Sequence, residues 1–395
     1  MLAKLAITLA VAAGLTSAQH PANKWSQTYG PQGNTPASQV VYTGFNSFAH
    51  LEHYHDGCLN NDSLTYDFAV FGAPIDTLVT FRPGARFGPY AIRSGSRRQR
   101  TGRGYHPTLE LNPYIAGGKT LDCGDVPMSP YRPELALEQL QVAYETLLNR
   151  PVNTPELERQ IDGLRTVDGL RRPRLVAMGG DHTIVLPILR ALKPIYGPIS
   201  VIHFDSHLDD WVPAEDMPGA THGTFFHQAA QEGLMGPSIH AGIRTRLSGT
   251  DDSDYVNSES CGFQVITTED IDLKGPKWIQ QQIRERVGNN PVYVSLDIDV
   301  VDPAFAPATG TPESGGFSSR EIKTLIRDSL VGLNIVGFDI VEVAPAYDTN
   351  AEITGILAAD LVHEFLSVAV KTDELYRQRK AAKEQGANGI AHEEL

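Results

Sequence analysis

The 395-residue sequence predicts an α/β fold, a mainly parallel sheet of about eight strands covered by helices on both faces. Strand-like runs alternate with helix-like segments from Arg174 onward. Two earlier runs, Thr65–Phe71 (TYDFAVF) and Thr120–Val126 (TLDCGDV), add strands before them. Three strand-like runs break off in Asp or His, and the carboxyl edge of a parallel sheet is where α/β folds hold their ligands. With 41% hydrophobic content and 36 glycines the chain can build a large core.

Taken in order, Met1–Ala18 has the pattern of a secretory signal peptide. Lys4 is the positive start, Leu5–Leu15 is apolar, and Thr16-Ser17-Ala18 offers a small-residue cleavage site. The apolar run is short for a membrane span, and no later segment reads as one. Residues 19–46 are polar and Gly/Pro-containing and are expected to form an N-terminal arm. The catalytic domain is expected over 47–372. Phe81–Arg93 (FRPGARFGPYAIR) is a Gly/Pro-rich loop entering a helix near Pro89, with no P-loop pattern. Pro133–Leu148 has helical spacing of Leu135, Leu137, Leu140, Val142, Leu147 and Leu148, mixed with Glu and Gln. Asn149–Arg172 is charged and proline-interrupted and reads as a surface insertion. The later strands are Arg174–Met178, Ile199–Phe204, Ser238–Ile243, Phe263–Ile266, Val292–Leu296 and Ile335–Ile340. Helices are expected at Thr183–Leu192, Lys277–Arg286, Ser319–Ser329 and Ala351–Val370, and 373–395 as a frayed tail.

The formal charge is −14, from 47 acidic and 33 basic residues, which argues against nucleic acid as a partner. Signal cleavage would remove Lys4 and make the chain one charge more negative. The three cysteines, Cys58, Cys123 and Cys261, form no disulfide framework. At most one pair can form, and the spacing does not say which; Cys123 reads as a small core residue. Asn61-Asp62-Ser63 is a glycosylation sequon usable on secretion.

The chemistry lies in Gly179–Thr183 (GGDHT), Val201–Asp210 (VIHFDSHLDD) and Ser295–Asp302 (SLDIDVVD). His182, Asp205, His207, Asp209, Asp297 and Asp299 are too many hard ligands for one ion, so a two-metal site is expected. Alternate spacing keeps Asp205, His207 and Asp209 on one side while the chain stays extended, and Asp297 with Asp299 likewise. A set dominated by carboxylate favours Mn²⁺ over structural zinc. His203, inside a strand, reads as a satisfied core residue, His227 as structural, and Asp302, before Pro303, as a loop-fixing carboxylate.

The motifs GGDHT, DSHLD, SLDIDVVDPAFAPATGTPESGG and GFDIVEVAPAYD together resemble the ureohydrolases, the arginases and agmatinases, over about Phe68 to Phe365. The resemblance implies a three-layer α/β/α domain on a parallel eight-stranded sheet, two Mn²⁺ per subunit and a homo-oligomer. It implies one ion on His182, Asp205, Asp209 and Asp297, and another on His207, Asp205, Asp297 and Asp299, with Asp205 and Asp297 bridging. The implied reaction is hydrolysis of a guanidino group to urea and an amine. Asp209 would pass on a proton, and His222, in THGT, matches the family's proton-shuttling histidine. Glu342, at a strand end between apolar neighbours, can grip a guanidinium through paired N–H bonds. Thr311 is either a hydroxyl acceptor for substrate or a turn residue beside Pro312.

Agmatine, a substrate of polyamine metabolism, is the expected guanidino compound. The stretch Gly242–Arg246 lacks the acids that arginine-specific relatives carry after this strand, and Glu342–Asp348 (EVAPAYD) is agmatinase-like. Arg244 or Arg246 facing the pocket would instead favour a guanidino acid such as 4-guanidinobutyrate; otherwise both arginines are structural. Remoter alternatives are a single-zinc amine deacetylase and a secreted non-catalytic binding protein. The expected location is secreted or in the secretory pathway, with no membrane attachment after cleavage.

Overall fold

The strands of a computed structural model are β1 (Glu52–His53), β2 (Phe68–Ala73), β3 (Thr120–Asp125), β4 (Arg174–Gly179), β5 (Ser200–Phe204), β6 (Ser238–Ile243), β7 (Phe263–Thr267), β8 (Val292–Asp297) and β9 (Ile335–Val341). They form one nine-stranded sheet in the order β1-β3-β2-β4-β9-β8-β5-β6-β7, with every named ladder parallel. All eight strands expected from the sequence are present. The ninth, β1, has two residues on the sheet edge, too short to show a period. The structure describes residues 46–54, 57–153, 166–214 and 219–393, with side chains to 382. The signal segment, nearly all of the arm and most of the surface insertion lie outside the described residues.

Both faces of the sheet are buried, so the strands are apolar at successive positions. Neighbouring residues nonetheless enter different cores. Val70, Val176, Ile202 and Val294 join one cluster; Phe71, Leu175, Val201 and Tyr293 join the other. The first cluster includes apolar residues of helices Gly88–Gly95, Pro276–Val287, Ser319–Leu330 and Ile353–Glu393. The second takes Pro133–Leu148, Val185–Tyr196 and Phe225–Gln231. The result is three layers, α/β/α. Local chemistry starts the helices: Ser318 accepts from the Glu321 amide while the Glu321 carboxylate accepts from the Ser318 amide.

The last helix departs from expectation twice. It continues through Glu393, so most of the segment expected to fray is helical. No proline interrupts it after Ile353, and its later part is rich in Ala, Lys, Glu and Gln. Residues Ile353–Ala382 are also long and apolar enough to cross a membrane by composition, contrary to the sequence reading, but most of that stretch is buried in the fold. It is a core helix.

Two long-range ties hold the β3 side. Arg93 is buried and grips both oxygens of Asp122 at 2.8 and 2.9 Å, with Asp125 at 2.5 Å. Cys123 is not a free core thiol: it is disulfide-bonded to Cys58, 65 residues earlier, with Cα atoms 5.6 Å apart. Spacing could not select this pair, because the register of β1 and β3 brings the two segments together. Cys261 is free and buried.

Candidate metal centre

Four adjacent central strands, β4, β9, β8 and β5, point their carboxyl ends at one place. His182 lies in the turn leaving β4, capped by Asp181, which accepts from the Thr183 amide at 3.1 Å. Gly180 permits that turn, since a Cβ there would lie 2.0 Å from the Ile75 carbonyl oxygen. Asp205 directly follows β5, and Asp297 closes β8. Asp209 and Glu342 adopt φ of 55° and 61°, a left-handed backbone that costs non-glycine residues energy. Both are residues the sequence assigned to chemistry.

The six expected ligands converge as two donor groups. His182 Nδ1 lies 3.1 Å from Asp205 Oδ2, 3.0 Å from Asp209 Oδ2 and 3.3 Å from Asp297 Oδ2. His207 Nδ1 lies 3.3 Å from Asp205 Oδ1 and 3.0 Å from Asp299 Oδ2. Asp205 therefore offers one oxygen to each group. Asp297 serves the first group through Oδ2, while its Oδ1 accepts from the Asp299 amide at 2.8 Å. All but His207 are buried, and His207 is half-buried.

Proton inventory tests whether this site fits cations. The Ser295 hydroxyl donates to Asp339 Oδ1 at 2.9 Å, so its oxygen is left to accept from His182 Nε2 at 2.7 Å. That leaves a lone pair on His182 Nδ1, facing three carboxylates. His182 Nδ1 and Asp205 Oδ2 are both buried with no hydrogen-bond partner among the described residues. Such an arrangement is repulsive without a proton or a metal ion in its midst. The donor set, mostly carboxylate with two imidazoles, fits a pair of divalent ions.

The titration behaviour agrees. Burial and repulsion from Asp205 push Asp209 up to about 7. Burial with Asp299 and Asp205 raises Asp297 well above the usual carboxylate range. Burial works against protonated His182, yet the surrounding carboxylates raise it. Burial also opposes ionised Asp205, but the imidazoles around it hold it well below the ordinary value. Metal ions must therefore displace protons. Affinity for a divalent ion is expected to rise between about pH 6 and about pH 8, roughly tenfold per pH unit for each proton displaced. Calorimetric titration in buffers of different ionisation heat checks this; no proton release and no pH dependence would contradict it.

Beside the first group stand His222 and Glu342. His222 Nδ1 is 3.0 Å from Glu342 Oε1, which also accepts from the His182 amide at 2.9 Å. His222 Nε2 accepts from the Thr80 amide at 2.9 Å and lies 2.7 Å from Thr80 Oγ1. Burial disfavours a charged ring, but Glu342 raises His222 to about 9. The Thr80 amide requires a lone pair on Nε2, whereas Glu342 favours a second proton. The amide cannot rotate away by itself, so Nε2 takes a proton only when the Thr80 segment moves off it. Burial and Glu342 raise neighbouring Asp181 to about 7, while its Oδ2 accepts from the Leu78 amide.

Thr311 Oγ1 lies 3.4 Å from Asp299 Oδ2, within the site. Asp302 fixes its loop as expected, accepting from the amides of Ala304, Gly315 and Gly316. Arg244 spends its guanidinium on the carbonyls of Asp299, Val300, Gly242 and Glu313, at 2.5 to 3.3 Å. It braces the loop that carries Asp299. Arg246 is exposed. His203 is more than a satisfied core residue: its Nε2 stands 2.9 Å from Asp205 Oδ2. Asp181, His203, Ser295, Asp339 and Glu313 were missed as site residues. For His203 and Ser295 the signal was present, because each lies two residues before a ligand and so on its side of the strand.

A model of the arginase family matches residues 66–367. A protein of Schizosaccharomyces pombe named putative agmatinase 1 is 47% identical over 356 residues, 88% of each chain. Putative agmatinase 3 of the same organism is 49% identical over 342 residues, 84% of this chain and 81% of that one. The solved structure of proclavaminate amidino hydrolase from Streptomyces clavuligerus superposes with a TM-score of 0.71 at 34% identity, covering 84% of this chain and 99% of that chain.

Proposed function

The chain belongs to the arginase family, and on that premise we propose that it uses two Mn²⁺ ions to hydrolyse agmatine to putrescine and urea. The observation that carries the reading is Asp205, shared between two donor groups, with the His222–Glu342 pair alongside. His182, Asp205, Asp209 and Asp297 would hold one ion; His207, Asp299 and the bridging Asp205, with Asp297, would hold the other. Such a pair lowers the pKa of water so that hydroxide exists near neutral pH. Asp209, whose Oδ2 belongs to the first donor group, would pass on a proton through its other oxygen. Glu342, which accepts from the His182 amide and faces His222, orients the guanidinium. His222 Nε2 delivers a proton to the departing amine once Thr80 has moved away. Thr311 offers a hydroxyl at the same pocket.

Agmatine is favoured over a guanidino acid because Arg244 is engaged by carbonyls, while the partly exposed Glu313 carboxylate lies 3.8 Å from His207 Nε2 and suits a distal ammonium. Exposed Arg246 supports 4-guanidinobutyrate as the second reading. With manganese, urea release is expected fastest from agmatine, at least about tenfold above 4-guanidinobutyrate and arginine in kcat/KM, the loss for an unpaired distal charge. Faster release from guanidinobutyrate would replace agmatine, and release from no guanidine would remove the reading. We also propose export through the secretory pathway, supported by Met1–Ala18 and the Cys58–Cys123 bridge. Recovery of the mature chain only in the reducing cytosol would contradict it. A homo-oligomer is proposed on family grounds, with exposed Phe81, Phe87 and Tyr90 in support; a monomer in sedimentation would refute it.

A further inference from the structure

One row of the sheet carries polar side chains through an otherwise apolar interior. In register across β9, β8, β5 and β6 it reads Asp339, Ser295, His203, His240. All four are fully buried. The row lies one step below the ligands, since Ser295 precedes Asp297 by two residues and His203 precedes Asp205 by two. Its members reach up to the first donor group. Asp339 and Ser295 support His182 Nε2, as described above. His203 Nε2 lies 2.9 Å from Asp205 Oδ2, in ion-pair range but not aligned as a hydrogen bond, and its Nδ1 pairs with His240 Nδ1 at 2.7 Å. His240 Nε2 lies 3.3 Å from Asp210 Oδ2, which accepts from Ser258 Oγ at 2.6 Å. Beneath, His240 is stacked on Phe263 with centroids 3.8 Å apart. Burying four polar groups in a sheet face costs stability except where hydrogen bonds or charges pair them.

We propose that this row is a positioning layer for the first metal ion, holding His182 and Asp205 in coordinating orientation from below. None of the four contacts His207 or Asp299, so the layer reaches the second donor group only through the shared Asp205. Groups that orient metal ligands in this way typically control affinity by about 10–100-fold. The inference rests on the two-metal reading, and the experiment separates the two.

The full-length chain, stripped of metal, is titrated with Mn²⁺ against a chelating dye, as wild type and in an Asp299→Asn background that leaves the first group complete. Ser295→Ala and His203→Asn are expected to weaken the first ion about 10–100-fold while the metal-free melting temperature stays close to the parent's. His203→Gln, whose amide N–H reaches about as far as Nε2, is expected to recover most of the affinity lost in His203→Asn. Unchanged affinity in both Ser295→Ala and His203→Asn would overturn the layer. Equal weakening in His203→Asn and His203→Gln would overturn the assigned contact with Asp205. Should His203→Asn fail to fold, Ser295→Ala decides. A wild-type chain that binds no Mn²⁺ would instead remove the metal reading itself.

Discussion

Asp205→Asn is expected to cut urea release below about one-thousandth of wild type, because it damages both metal positions at once. Its two oxygens face different donor groups, Oδ2 towards His182 and Oδ1 towards His207. An amide has one oxygen, so one group must lose its share. No other ligand contacts both imidazoles. The fold should survive, since a buried negative charge in a crowded carboxylate cluster is being removed rather than an apolar contact. Metal analysis after gel filtration should find fewer than two ions per chain. A variant that kept both ions and normal turnover would remove Asp205 as the shared ligand.

Glu342→Gln should separate catalysis from metal binding. Glu342 Oε1 accepts from the His182 amide and faces His222 Nδ1. Glutamine keeps an oxygen there, so His182 should stay in place and both ions should bind. What disappears is the charge that orients a guanidinium and that raises His222 to about 9. With that partner gone, only Asp209 and Asp181 are left to offset burial of the imidazolium, and the proton destined for the leaving amine is harder to hold. Loss of one such electrostatic element commonly costs about 10²–10³ in kcat. Manganese content and kcat, measured on the same preparation, check the split. Full activity would take Glu342 out of the site; loss of metal would make it a structural support of His182.

Much of this was readable in one dimension because the chemistry sits at strand ends. A buried parallel strand is a run of apolar residues, and its abrupt end in Asp or His is visible without knowing its neighbours. The row beneath was readable only in part. His203 and Ser295 each stand two residues before a ligand candidate, whereas Asp339 and His240 belong to strands with no expected metal ligand. Only register brings them into line. Arg244 shows the opposite limit: a guanidinium near an active-site motif suggests a substrate carboxylate, but four backbone carbonyls already occupy it.

By itself, then, the chain's pattern of apolar runs and acid-ended strands determined the α/β class, the eight longer strands and which six Asp and His side chains gather at their ends, because each depends on near neighbours along the backbone. Strand order, the Cys58–Cys123 pairing, the sharing of Asp205 and the buried polar row were decided only in three dimensions. Those depend on which distant segments lie side by side, and packing of two apolar cores against one sheet sets that, not spacing in the sequence.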